Sequence, residues 1–354
     1  MVTNTTTTPT PLISICVCTY RRPRQLEQLL QCLNRQATKS LFNFSIMVVD
    51  NDKCESARSV VESCAGRLSI PIAYGVEPQQ NIALARNASV AMATGELVAF
   101  IDDDEEPSSD WLRVLYEVLI EHEADGVLGP VLPRFEKSAP AWAVKGGVFR
   151  RPTFQTGEVL HWTAAGIGNA LIKREVLRDM DGPFRPHFGA GGEDQDLFRR
   201  AMARGRVFVW SAEALCYESV PAERTRIGFQ LRRALLRGKQ ALRGPAGSWR
   251  GIVKSAIALP LYAVALPVCL IIGWHVFVTE LVKSFDHLGK LLAACGIEVA
   301  GETYVTEMSY KDAKPIQLHS DGSRQTSGLR TAISERPNQR KSGGNVSSKN
   351  NYPC

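Results

Sequence analysis

Five short apolar runs, separated by stretches with helical spacing, limit what this chain can fold into. The runs are Leu12–Cys18, Phe44–Val49, Ile70–Val76, Glu96–Ile101 and Gly126–Leu132. Between the first two, Pro23 precedes Leu26, Leu29, Leu30 and Leu33, which fall on one helical face. Ala57–Cys64, Asn81–Ala93 and Trp111–His122 read as the next three helices. Strands alternating with helices predict an α/β fold with a mostly parallel central sheet and helices on both faces. In such sheets, ligands bind at the carboxyl ends of the strands. Three polar clusters fall there: Thr19-Tyr20-Arg21-Arg22, Asp50-Asn51-Asp52 and Asp102-Asp103-Asp104.

The third cluster belongs to a run of five carboxylates, Asp102 to Glu106. Clustered negative charge at a strand end repels itself unless a cation sits there. Hard divalent ions such as Mg²⁺ or Mn²⁺ take one or two carboxylates together with substrate phosphates. The alternative reading is a solvated acidic turn, with Ser108 or Asp110 capping the helix that starts at Trp111. Period-two alternation sends Asp103 to the opposite face from Asp102 and Asp104, and assigns Glu105 and Glu106 to the turn. A second acidic group, Glu193, Asp194 and Asp196, follows glycines 189, 191 and 192. There it forms the first turn of a helix, where the dipole favours ionised carboxylates. An ionised carboxylate suits a general base, and it equally suits simple charge complementation.

Composition narrows the class further. Lys and Arg total 42 against 36 Asp and Glu, a net charge of +6. Nine of those cations and no acids lie between Arg224 and Lys254. Aromatic residues are too sparsely interleaved there for a nucleic-acid surface. The nine cysteines show neither zinc-site nor disulfide-framework spacing, which points to a reducing, cytosolic setting.

Taken together, several stretches resemble the family-two glycosyltransferases of the GT-A fold. They are Ile13-Ser-Ile-Cys-Val-Cys-Thr-Tyr-Arg-Arg-Pro23, Val48-Val-Asp-Asn51, Asn81-Ile-Ala-Leu-Ala-Arg-Asn87, Gly95–Asp104, Gly168–Arg174 and Gly192–Leu197. Within the family the resemblance is to the glucosyltransferases of succinoglycan-type exopolysaccharide assembly. The resemblance implies that Thr19, Tyr20, Asp50 and Asn51 hold the uracil and ribose of a UDP-sugar, with Arg86 facing the nucleotide. It implies that Asp104 binds a Mg²⁺ or Mn²⁺ ion on the UDP diphosphate, and that Asp102 contacts the ribose or the metal's waters. It also implies that Asp194 is the catalytic base of an inverting transfer. Leu215–Pro221 lacks the His that many relatives place there, leaving Glu218 or a water as the third ligand. Gln230-Leu-Arg-Arg233 lacks the Trp of processive members, which favours one sugar per encounter. Trp142 and Trp162 are candidates for acceptor stacking, although an isolated Trp more often packs in a core.

Ser255–Thr279 carries no charged residue over 25 positions, enough to cross a hydrocarbon core, though Pro260, Pro267 and Gly273 interrupt it. Ahead of it, Ile227, Leu231, Ala234, Leu235 and Leu242 share one helical face with arginines elsewhere, as in a helix lying on an anionic membrane; the alternative is a buried helical hairpin covering the catalytic domain. The expected organisation is a tail over 1–11, a GT-A domain over 12–222, membrane-associating helices over 223–309 and a polar tail over 310–354. The activity implied is hexose transfer, of glucose above all, from a UDP-sugar to a polyprenyl-diphosphate-linked oligosaccharide at the cytosolic face of the membrane. Other exopolysaccharide-assembly enzymes would be partners. A nucleotidyltransferase of the same broad class and a catalytically silent scaffold are the rival readings.

Overall fold

The computed structural model describes residues 10–136, 139–189, 191–243 and 249–297. The tail expected over 310–354 lies outside them. In chain order the elements are β1 (Leu12–Thr19), α1 (Pro23–Leu33), β2 (Asn43–Asp50), α2 (Arg58–Ala65), β3 (Ile72–Val76), α3 (Ile82–Met92) and β4 (Leu97–Ile101). They continue with β5 (Glu105–Pro107), α4 (Trp111–Glu121), β6 (Gly126–Leu128), β7 (Val131–Phe135), α5 (Ala141–Lys145), β8 (Asn169–Lys173), α6 (Arg174–Arg178), α7 (Glu193–Met202), β9 (Phe208–Trp210) and β10 (Cys216–Val220). Three helices follow: α8 (Ile227–Arg243), α9 (Trp249–Ile272) and α10 (Trp274–Ala294).

The main sheet runs β3-β2-β1-β4-β8-β6-β9, and only β8 opposes its neighbours. Alternation along β1 sorts its side chains. Ile13, Ile15 and Val17 face α1, α2 and α4, while Cys16 faces the layer containing α3 and α7. Leu26, Leu29, Leu30 and Leu33 of α1 are all fully buried in the first layer. Each contributes roughly 1.5–3 kcal/mol by leaving water. Asn81 caps α3, its side chain accepting from the amides of Ala83 (3.0 Å) and Leu84 (3.2 Å). Neither Ser108 nor Asp110 caps α4 through its side chain in this way; Asp110 occupies the N-cap, but its carboxylate pairs with Arg113 at 3.1 Å instead of with the helix amides.

The expected fifth strand divides in two. Gly126–Leu128 enters the main sheet, whereas Val131–Phe135 enters a second sheet ordered β5-β10-β7. The break falls at Gly129-Pro130, and Asn169 clasps it. The Asn169 amide donates to the carbonyls of Pro130 (3.0 Å) and Ala214 (2.7 Å), and its oxygen accepts from the Trp111 indole (2.7 Å). One buried amide, with both N–H donors and its oxygen engaged, thus ties both sheets to α4.

The charge-free stretch also divides. Gly273 separates α9, with both prolines inside it, from α10, which returns alongside. The apolar face of α8 is not available to lipid as expected, because Ala234 and Leu235 are buried with Val278 and Val282 of α10 and Trp142 of α5. Backbone meets backbone at that crossing. A Cβ on Gly238 would lie 2.2 Å from the Asp286 carbonyl oxygen, and one on Gly289 would lie 2.3 Å from that of Leu235.

Candidate active site

The carboxyl ends of β1, β2 and β4 open onto a cleft of about 290 Å³, where the strand order reverses between β1 and β4. Thr19, Tyr20, Asn51, Arg86, Asp102 and Asp104 all line it. Asp50 and Asp194 are not among its lining residues.

Asp103 lines the cleft as well, contrary to the expectation from period two. Strand β4 ends at Ile101, so the alternation no longer holds over 102–104. Asp103 accepts the Thr19 hydroxyl at 2.8 Å and pairs with Arg22 at 2.6 Å. Burial pushes its pKa up to about 6 against the pull of Arg22. Glu105 and Glu106 likewise depart from the expected turn, forming β5 against β10. Glu105 is buried beneath Asp102, and desolvation together with that neighbour raises its pKa well above the glutamate range. Only a glycine suits position 168, where a Cβ would come within 2.8 Å of Asp102 Oδ2 and 2.9 Å of Glu105 Oε1.

Arginines answer the acids. Asp104 lies 3.2 Å from Arg22 and 3.3 Å from Arg224. Glu218 pairs with Arg224 and, at 2.7 Å, with Arg151. Arg233 of α8 lines the cleft beside them, and the surrounding walls and Arg224 hold its pKa below the ordinary arginine value. Arg86 joins Asp102 (3.2 Å) to Glu193 at the start of α7. Burial alone would lower the Arg86 pKa, but Glu193, Asp102 and Asp194 outweigh it. Glu193 is 4% exposed, its Oε2 has no partner among the described residues, and desolvation lifts its pKa to about 7. Asp194 is half-buried, accepts the Gln195 amide at 2.7 Å, and lies close enough to Arg86 and Glu193 for both to feel its charge.

Around β2 the side chains are spent on the fold. Asp50 is fully buried and accepts from the Asp52 and Ala57 amides (3.1 and 2.7 Å) and the Tyr74 hydroxyl (3.1 Å). Asn51 donates to the carbonyls of Glu77 and Gln79 (2.8 and 2.7 Å) and accepts the Asn81 amide at 2.8 Å, fixing the loop ahead of α3. The Tyr20 ring carries the Arg21 guanidinium 5.2 Å from its centroid. Trp142 and Trp162 pack against the hydrophobic clusters. Burial pushes the Cys18 thiol up to about 12, which removes it as a nucleophile at neutral pH.

The family model for glycosyl transferase family 2 matches residues 14–181. The succinoglycan biosynthesis protein ExoM of Rhizobium meliloti (strain 1021) is 34% identical over 230 residues, 64% of this chain and 73% of that protein. The chain belongs to glycosyl transferase family 2. Validoxylamine A glucosyltransferase of Streptomyces hygroscopicus subsp. jinggangensis is 34% identical over 96 residues, 27% of this chain and 22% of that protein. A mannosyltransferase from Pyrobaculum calidifontis, solved in complex with GDP-Man and Mn²⁺, superposes with a TM-score of 0.58 at 19% identity, covering 81% of this chain and 88% of that one. That likeness bears on the fold, which is of the GT-A type expected from the sequence motifs.

For this family-two glycosyltransferase, the arginine ring was the part least visible in the sequence. Arg151 sits in an irregular segment with no periodic signal, and Arg224 and Arg233 belong to a basic run whose charge suggested lipid. The signal for Arg233 was the Gln230-Leu-Arg-Arg233 motif; for Glu193, it was adjacency to Asp194.

Proposed function

We propose that this glycosyltransferase moves a hexose, glucose above all, from a UDP-sugar to a lipid-linked oligosaccharide during exopolysaccharide biosynthesis, with inversion at the anomeric carbon. The observation that carries this reading is the acid run at the end of β4, facing arginines across one cleft. Kinship with a succinoglycan biosynthesis protein supports the pathway class, and the apolar helix α9 supports an acceptor held in a membrane.

The residues present fit a divalent cation. Asp102 and Asp104 offer oxygen ligands only, and a pair of carboxylates completed by substrate phosphates is how Mg²⁺ is commonly held. Among the described residues, no three His, Cys, Asp or Glu side chains gather into a closed cage. When bound, the ion supplies positive charge to the departing diphosphate. Arg22, Arg224 and Arg233 face the same volume and offer fixed positive charge where UDP becomes a leaving group. Asp194 takes the proton of the acceptor hydroxyl. The acceptor oxygen then bonds to the anomeric carbon as the bond from that carbon to the UDP oxygen breaks. Arg86 holds Asp102 and the amino end of α7 in register for that displacement.

Membrane extract incubated with a panel of UDP-sugars should yield transfer to lipid and free UDP; release of pyrophosphate instead would overturn the reading. Asp194→Asn should lower turnover by roughly 10²–10⁴-fold while UDP affinity stays nearly unchanged. Wild-type turnover would remove Asp194 as the base.

A further inference from the structure

Helix α9 divides lengthwise into two faces. Ser255, Leu259, Tyr262, Leu266 and Cys269 recur every three or four residues and are buried or half-buried. Two of them touch α10: Ser255 Oγ lies 3.0 Å from His287 Nδ1, and the Tyr262 ring is 5.6 Å from that imidazole. Val253, Ile257, Leu261, Val264, Val268 and Ile271 form the other face and are between 44% and 87% exposed. The helix is long and apolar enough to cross a membrane, the one such helix among the described residues.

Its partner argues against crossing. Helix α10 carries Glu280, Lys283, Asp286 and Lys290 alongside α9. Glu280 pairs with Lys283 at 2.7 Å, and Asp286 is held at 3.0 and 3.1 Å by Arg237 of α8. Through the Gly238 and Gly289 contact, α10 is fastened to α8, whose Arg233 lines the cleft. A perpendicular α9 would draw these charges into hydrocarbon, where charged side chains are rare and costly.

We propose that α9 lies flat in one leaflet of an anionic bilayer, its Ile257–Ile271 face among the acyl chains, with α10 and α8 holding the catalytic cleft just above the headgroups. This rests on the membrane-bound reading given above. A bilayer, rather than a second copy, fits what surrounds the face. Trp249 and Trp274 flank it at 69% and 52% exposure, as aromatic side chains do at a membrane interface. Arg250 and Lys254 are exposed at its amino end, in a segment without acids from Arg224 onward. Basic residues beside an apolar helical face attract anionic lipid.

The test uses the full chain with phosphatidylglycerol–phosphatidylcholine vesicles. A fluorescent non-natural amino acid placed singly at Ile257, Val264 or Ile271 is quenched by lipids brominated at known depths. All three positions should report one shallow depth. A change of roughly 10 Å between successive positions, the rise of seven helical residues, would overturn the flat arrangement while leaving membrane binding intact. Failure to float with the vesicles would overturn the membrane-bound reading beneath it. Leu261→Glu with Val264→Glu should cut partitioning on the order of tenfold or more, with UDP binding unchanged as the check on folding. Loss of self-association without loss of partitioning would assign the face to a second copy and overturn the proposal.

Discussion

The Arg86 guanidinium reaches Asp102 beyond the end of β4 and Glu193 at the start of α7, so the two acidic motifs share one cation. Desolvation lifts the Glu193 pKa from 4.5 to about 7 against the pull of Arg86, so between those values the folded chain holds a proton there that the unfolded chain has released. A carboxyl raised in this way destabilises the folded state as it ionises. Its contribution is therefore lost as pH rises from about 4.5 to 7. Glu193→Gln should flatten that decline by about 1–3 kcal/mol, read from thermal unfolding of both proteins across the window. An identical slope in the two proteins would show that Glu193 stays ionised. At this scale the sequence was partly legible. The carboxylates announced themselves as runs, but which way each pointed depended on where β4 stopped. Asp103 turned inward because the strand had already ended, and periodicity alone does not locate a strand's last residue. Asp50 and Asn51 stood out as polar groups at the end of β2; both side chains also hold the turn and the loop ahead of α3, and Asn51 lines the cleft as well.

Among the elements, α1 follows directly from its apolar spacing, and Pro23 and Asn81 mark the starts of α1 and α3. The run Gly126–Leu132 looked continuous because burial in either sheet demands the same residues. Only Gly129-Pro130 hinted at the change of sheet. Helix α8 shows a different difficulty. Its amphipathic pattern specified an apolar face but not its occupant, and α10 is that occupant. The glycine contact between them gives the prediction at this scale. Gly289→Leu must push α10 off α8, since its Cβ alone would meet the Leu235 backbone. Core overpacking of this kind typically costs about 1–3 kcal/mol. Turnover on the proposed lipid-linked acceptor should fall while the far-UV spectrum is kept, because the cleft loses its fixed relation to α9. Unchanged melting temperature and turnover would show that the crossing tolerates a side chain.

Across the described residues a mostly parallel sheet, an arginine-lined cleft and a helical layer adjoin one another, and α8 belongs to the last two. Ligands that bind only the folded state stabilise all of it together. UDP with Mn²⁺ at about 100 times its dissociation constant should add roughly 2.7 kcal/mol, a rise of several degrees in melting temperature. In Asp104→Ala the Mn²⁺-dependent part of that rise should vanish, with the increment due to UDP alone remaining; a full rise would remove Asp104 from the metal site. The two halves of the cleft also differ mechanically. The Asn169 amide binds the β6–β7 break, the segment before β10 and α4 into one plate, so Asp102, Glu105 and Glu218 stand on a common floor. The opposite wall, Arg224 and Arg233, comes from the segment that enters α8 and from α8 itself. An inhibitor shaped to the floor would meet a surface clamped by the Asn169 bonds, whereas one gripping Arg233 would depend on how α8 is seated against α10.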